Sequence, residues 1–475
     1  MKRRDLLKVG AVAGAALVLP AQRMVAAAVG SAASADAFSV PMPLLPVLQP
    51  YSRSTTTDYY AMTQKDADVE IIPGTKTRVR TFNGQFPGPT INAIKGRRVI
   101  VTQTNNFTDP VVTHLHGGHV APQDDGFVLD SIAPGASKQY TYPNVQNGAT
   151  LWYHDHAHHT ESEHVYRGQS GFYIVHDPAT FPLALPWGNA DVAIMLRAVH
   201  LDDNAQLVYT PNDFRGRDTI LVNGKPQPYF QVAARKYRLR FLNSANDTAF
   251  KLSLADNSAI VHVASDGGLL PAPVVTDNVD IFPGERVEAV IDFSRYPVGT
   301  SVVLMNQYGE SDQTRQVMRF DIVRTERDDS RIPTADQLPD MPTPGTPSVT
   351  RDVTLQIDPR TFIFLLNGQP FDPNRVDFKI QHGAQEVWRI TNLDTTFGIP
   401  HNLHLHLVQF QVLDRNGTPV GPTEQGWKDT VKVWPGETVR IAVNFNTRYT
   451  GRYLFHCHLL DHSSAAMMAQ YEITP

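Results

Sequence analysis

The chain has 475 residues, of which 41 % are hydrophobic and 19 % charged. That composition supports large apolar cores and excludes bulk disorder, and the length suits about three domains of ordinary size. A net charge of −5 gives no reason to expect nucleic acid or an anionic membrane as partner, and a single cysteine, Cys457, excludes any intramolecular disulfide.

In chain order, the first element is a targeting segment. Arg3 and Arg4 precede the apolar run VGAVAGAALVLP, and small residues follow, with Ala33-Ser34-Ala35 the expected cleavage site. The run is too short to span a bilayer, which takes about 20 apolar residues. The arginine pair, followed by Lys8, resembles a twin-arginine signal, a route that exports folded proteins. An ordinary secretory signal is the alternative. Either way, residues 1–35 are expected to be removed, leaving a periplasmic or extracellular protein without a membrane anchor.

The remainder repeats at long period. Three strand-like runs end in or near asparagine: RRVIVTQTNNF (97–107), KYRLRFLNSAND (236–247) and QEVWRITNLDTT (385–396). Each is followed at a distance by a Pro-Gly turn and another run: IAPGASKQYTY (132–142), IFPGERVEAVIDF (281–293) and VWPGETVRIAVNF (433–445). Alternation with period two, β-branched residues and Pro/Gly punctuation mark these as strands. They predict an all-β protein of three similar units, each a Greek-key sandwich or barrel, at 36–185, 186–325 and 349–475, with the polar, proline-rich segment 326–348 as linker.

Within the repeat, histidines mark the first and third units. The first carries THLHGGH (113–119) and ATLWYHDHAHH (149–159), and the third PHNLHLHL (400–407) and GRYLFHCHLLDH (451–462). The matching stretches of the second, TAFKLSL (248–254) and TSVVLMNQY (300–308), carry none. Five H-x-H pairs occur, more than chance placement of 18 histidines gives. Residues i and i+2 of a strand share a face, so the four equivalently placed pairs can bring eight imidazoles to one domain boundary. Each buried ring nitrogen needs a partner. Imidazole suits copper, zinc, iron and nickel, and eight histidines exceed one four-ligand zinc site.

Cys457 narrows the choice. A lone thiol is ordinarily a buried structural cysteine. Flanked by His456 and His458 and followed by His462 and Met467, this one fits instead the thiolate–histidine–methionine set of a blue copper site. His401 is the natural second histidine and Met468 the rival to Met467. Between His154 and His156, Asp155 is expected to face away from the histidines. HHTESEH (158–164) reads as a solvated loop or helix start, with Thr160 and Glu163 matching a capping box, or as a feeder of copper or protons; His119 is equally ambiguous.

HLHGG, WYHDH, HNLHLH and HCHLLDHSSAAM resemble the four copper signatures of multicopper oxidases, and the resemblance covers nearly the whole chain beyond the targeting segment. HLHGGH…DDG, VYRGQSGFYIVHDP and GWKDTV are most similar to bacterial spore-coat laccases and bilirubin oxidases. The resemblance implies three cupredoxin domains and four copper ions. It assigns His401, Cys457, His462 and Met467 to a type 1 copper, and His114 and His404 to a type 2 copper. It assigns His116, His154 and His458 to one type 3 copper and His156, His406 and His456 to the other. The trinuclear cluster would lie between the first and third units, with the second as spacer. His456 and His458 would give electrons a covalent route from the Cys457 sulfur.

The implied activity is a laccase-like oxidation of phenols, aminophenols or bilirubin-type donors, one electron at a time, coupled to four-electron reduction of dioxygen to water. A small aromatic donor at the edge of His462 and dioxygen are the expected partners, and a monomer the expected state. The alternative is a metallo-oxidase of cuprous or manganous ions, but the ten methionines form no Met-rich insert. Non-enzymatic, division-associated relatives lose copper ligands that are all kept here. Two departures stand out. Asn402 occupies the usual proline position of the third motif, and Ser463 the position of an acidic residue thought to help deliver protons in spore-coat laccases. Proton supply is then expected from Asp125, from Asp461 or from water, with Asp125→Asn slowing turnover at near-normal copper content.

Overall fold

The computed structural model describes residues 36–475, so the targeting segment 1–35 lies outside the described residues. Among those described, no helix is long and apolar enough to cross a membrane. The chain is all-β, and its six sheets fall in pairs along the sequence.

The runs read as repeats pair in the same way three times. Arg98–Asn105 lies antiparallel to Ser137–Tyr142, Lys236–Asn243 to Arg286–Asp292, and Gln385–Asn392 to Thr438–Asn444. The first member of each also lies parallel to an earlier strand, Thr57–Val69, Asp191–Val199 and Val349–Ile357 respectively. The terminal asparagines have one job in all three. Asn105, Asn243 and Asn392 are buried, and each side-chain amide donates to two carbonyls, of Asp109 and Ile132, of Thr248 and Ile281, and of Ile399 and Val433. Each backbone carbonyl accepts from the glycine of the Pro-Gly turn, Gly135, Gly284 or Gly436, at 2.7–2.9 Å. Those glycines have φ of +76°, +86° and +75°, a region that side chains rarely adopt. A buried asparagine and a left-handed glycine thus lock each sheet corner, and the corner sets where the next strand starts.

The histidines lie on the second sheet of the first and third units. In the first unit β1 (Thr113–His116) pairs with β2 (Ala149–Asp155), then come a short helix α1 (Glu161–Tyr166) and β3 (Ser170–His176). In the third, β4 (His401–Leu405) lies between β5 (Thr430–Val433) and β6 (Gly451–Cys457), followed by a short helix α2 (Leu460–Ser464) and β7 (Met468–Thr474). Helices α1 and α2 pack together, and Tyr453 donates to the Val120 carbonyl at 2.9 Å, so the two histidine-bearing sheets meet. Cys457 and Met467 belong to the apolar core of the third unit, with Trp388, Phe410 and Phe455.

Candidate metal centre

The strand registers match. His114 faces His154 across β1–β2, and His404 faces His456 across β4–β6. All eight paired histidines are buried. Their ring nitrogens converge: Nε2 of His114 lies 3.4 Å from Nε2 of His404, and Nε2 of His406 lies 3.4 Å from that of His156 and 3.2 Å from that of His456. On the far side of β6, Nδ1 of His401 and Nδ1 of His462 are 3.1 Å apart and stand 3.5 and 3.6 Å from the Cys457 sulfur.

Copper fits these residues. Two nitrogens at about 2.0 Å from one ion at tetrahedral angles stand roughly 3.3 Å apart. His116 Nδ1, His154 Nε2 and both nitrogens of His458 are buried without a hydrogen-bond partner, an expense that a metal would remove at one nitrogen of each ring. Burial holds His114, His116, His156, His404, His406 and His458 well below the usual imidazole range, hence neutral, which is the ligating form. Among the described residues five compact groups occur: His156–His406–His456, His401–Cys457–His462, His114–His116–His154, His114–His404–His406 and His116–His404–Asp429. His458, expected beside His116 and His154, has its ring centroid 4.8 Å from the first and 5.5 Å from the second. Met467 hydrogen-bonds through its backbone to both Cys457 and His462 at 3.0 Å and shares their core, whereas Met468 packs elsewhere, with Val128 and Leu454.

Outer partners fix the ring orientations. Asp125 accepts from His406 Nδ1 at 2.8 Å, and its carbonyl accepts from His114 Nδ1 at 2.5 Å. It therefore orients one imidazole from each unit. Asp394 accepts from His401 Nε2 at 2.7 Å, leaving Nδ1 toward the thiol. Asn402 replaces the expected proline without disorder: it donates to the Pro283 carbonyl of the second unit at 2.5 Å, and its carbonyl accepts from the His458 amide at 2.8 Å.

Several expectations are corrected. The segment 158–164 does start a helix; His159 and Thr160 are exposed, but the helical part is not solvated, with Glu161, Ser162 and His164 buried, and Thr160 forms no side-chain cap. Glu161 accepts from the Ser463 hydroxyl at 2.6 Å, and its other oxygen lies 3.5 Å from His156 Nδ1. Burial pushes its carboxyl up to about 8. A buried acid of the first unit thus lies beside Ser463. Asp461 is occupied otherwise, by Arg217 at 2.8 Å, the Tyr209 hydroxyl at 3.1 Å and the Asn212 amide at 3.0 Å. The rings of His158 and His159 lie 3.7 Å apart, tilted by 33°, and join none of the compact groups, while His119 pairs with Gln409. The edge of His462 is not open: the residue is 1 % exposed and Phe364 lies over it, ring centroids 4.8 Å apart.

Sequence reasoning passed over Glu161, Asp394 and Asp429 as partners of the histidines. Asp429 sits within GWKDTV, yet only the fold brings its Oδ1 to 3.0 Å from His116 Nε2.

Three family models, each described as multicopper oxidase, match residues 63–180, 196–326 and 342–475. The chain is 37 % identical to a bilirubin oxidase of Albifimbria verrucaria, over 92 % of this chain and 81 % of that protein. It is 33 % identical to a laccase of Bacillus subtilis (strain 168), over 91 % of this chain and 98 % of the other. Its fold matches the crystal structure of a laccase from Pediococcus acidilactici with a TM-score of 0.86 at 31 % identity, covering 94 % of this chain and 95 % of that one. With two histidine-bearing sheets meeting on one side of Cys457 and two further histidines on the other, the chain belongs to the multicopper oxidase family, oxidoreductases that carry four copper ions and use dioxygen as acceptor.

Proposed function

We propose that this laccase-like oxidase takes apolar aromatic donors, such as phenols, aminophenols or bilirubin-type tetrapyrroles, at the exposed aromatic patch beside Phe364, the ring that covers His462. The observation that carries this reading is an aromatic mouth. Phe364 covers His462, and beside it Phe362, 65 % exposed, lies against the half-exposed Phe397 with ring centroids 5.9 Å apart. Ile363 and Leu393 extend the exposed apolar surface. Such a patch recruits planar apolar molecules and offers a hydrated metal cation nothing.

His401, Cys457, His462 and Met467 would hold the type 1 copper. His114 and His404 would hold the type 2 copper; His116, His154 and His458 one type 3 copper; and His156, His406 and His456 the other. Copper held there would supply one-electron oxidation of the donor and four-electron reduction of dioxygen. The chain's own part is to keep the eight H-x-H imidazoles neutral and oriented, to bury the thiol, and to join the two sites through the backbone His456-Cys457-His458. The proposed division is into three cupredoxin-like units at 36–185, 186–325 and 349–475, a reading supported by the six sheets and the three family-model matches. Arg3, Arg4 and the apolar run after them support export by a twin-arginine route to the periplasm or beyond.

Dioxygen uptake by the copper-loaded protein, compared across a phenol, an aminophenol, bilirubin and cuprous ion, tests the donor class. Fast uptake with the organic donors is expected. Uptake confined to cuprous ion would overturn it in favour of metal oxidation.

A further inference from the structure

The second unit, which carries no H-x-H pair, is not only a spacer. We propose that Arg286, from that unit, is a positioning residue of the trinuclear histidine cluster, acting through Asp429 on His116 and His404. This rests on the copper reading above.

Arg286 is fully buried and all of its nitrogens are engaged. Its fork grips the Asp429 carboxylate at 2.7 and 2.6 Å, while Nε donates to the Thr150 carbonyl of β2 at 2.9 Å. The remaining contacts go to the carbonyls of Gly284 and Asp266 at 3.0 and 3.1 Å. One residue thereby ties the first, second and third units together behind the cluster.

Asp429 uses this anchorage on two rings. Its Oδ1 lies 3.0 Å from His116 Nε2, and its backbone carbonyl lies 2.8 Å from His404 Nδ1. Carboxylate and carbonyl oxygens only accept, so the protons are assigned: His116 carries its proton on Nε2 and His404 on Nδ1. The lone pairs left over are His116 Nδ1, which has no hydrogen-bond partner, and His404 Nε2, which faces His114. The two rings stack at 3.7 Å and 11°, yet they present opposite nitrogens. A planar, bidentate guanidinium can hold the carboxylate plane in that orientation, whereas an ammonium cannot.

Gly117, the first glycine of HLHGG, supplies an independent sign. It has φ +83°, and a Cβ there would come within 2.7 Å of Asp429 Oδ2 and 2.8 Å of Arg286 Nη2. The motif leaves that space to the Arg286–Asp429 pair.

The test uses the copper-loaded protein and the variants Arg286→Lys, Asp429→Asn and their combination. Copper per chain, the type 3 near-ultraviolet absorption and the type 2 electron paramagnetic resonance signal are read, with the blue type 1 band as internal control. Each single variant is expected to lower copper affinity of the cluster by about tenfold or more and to alter the type 2 or type 3 signal, with the blue band kept. The combination should cost little more than the worse single change, because both act on one contact. A lower melting temperature with copper content and all three signals unchanged would show a merely structural pair and overturn the proposal, as would fully additive losses. Arg286→Lys keeps the buried charge balanced, so the test does not depend on the more disruptive double variant. If the unaltered chain binds only the blue copper, the cluster assignment fails first and takes this proposal with it.

Discussion

Two strands of this protein carry the same pattern, His154-Asp155-His156 on β2 and His456-Cys457-His458 on β6, and differ in what meets the middle residue. In both, the flanking imidazoles face the cluster and the middle side chain faces the opposite way, as strand alternation requires. Behind β2, Asp155 accepts from the Val112 and Ala157 amides at 3.0 Å each and from His164 Nδ1 at 2.9 Å, and His164 Nε2 meets Asp109 at 2.8 Å. Behind β6, Cys457 meets His401 and His462, whose Nδ1 atoms both point at the sulfur. The difference lies in free lone pairs. His164 commits both nitrogens to carboxylates and has none for a metal, whereas His401 commits only Nε2, to Asp394. One strand position thus carries a structural clamp in one unit and a thiol beside two imidazoles with free lone pairs, the proposed electron-entry site, in the other.

The largest effect should come from Cys457→Ser. Turnover with an organic donor is expected to fall by more than about a hundredfold and the blue absorption to vanish, while copper among the eight histidines persists. An unchanged visible spectrum would remove Cys457 from the account.

Asp155→Ala should act on the fold instead. It strands two backbone amides and an imidazole, at a cost of about 3 kcal/mol in urea unfolding of the copper-free protein. A cost near zero would mean that the clamp is idle.

The attachment of β2 to the second unit gives a pH dependence. Thr150 of β2 donates to Glu288 at 2.6 Å. Burial alone would raise the Glu288 carboxyl, but Arg238 and Arg240 outweigh it and hold it at about 2, against an ordinary value of 4.5. A lowered native value stabilises the fold above the unfolded value and loses that stabilisation as pH falls from about 4.5 toward 2, on the order of 2 kcal/mol. Glu288→Gln should flatten this acid limb, and a stability curve of the same shape in the variant would contradict the assignment.

The smallest effect is expected from Asp125→Ala. It removes the acceptor by which the first unit orients His406 of the third, and should weaken copper binding about tenfold in chelator competition. That refines the expectation drawn from Asp125→Asn, because the contact to His406 Nδ1 makes Asp125 an orienting residue. Copper retention equal to the unaltered chain would return the residue to a proton-supplying part alone.

What could be read from the sequence was local or periodic. Alternating runs and Pro-Gly turns gave the repeated strand pairs, and H-x-H spacing put the imidazoles on common faces. The asparagines at the strand ends were visible as a pattern, but their role in locking the corners needs carbonyls up to 41 residues away. Glu161 looked like part of a solvated segment because Thr160 and Glu163 imitate a capping box. In the fold Thr160 has helical φ and ψ of −114° and −7°, and α1 is buried against α2. The Arg286–Asp429–His116 chain joins all three units, so no local pattern announces it. The sequence favours Met467 over Met468; the turn after α2, where the Met467 amide bonds back to the His462 carbonyl, is the tertiary feature that supports that preference.

The most direct test is anomalous scattering at the copper edge from crystals of the copper-loaded protein. One ion should lie between His401, Cys457 and His462, and three among His114, His116, His154, His156, His404, His406, His456 and His458, with none at Asp155 and His164. An empty Cys457 site, or an ion held by Asp155 and His164, would contradict the account.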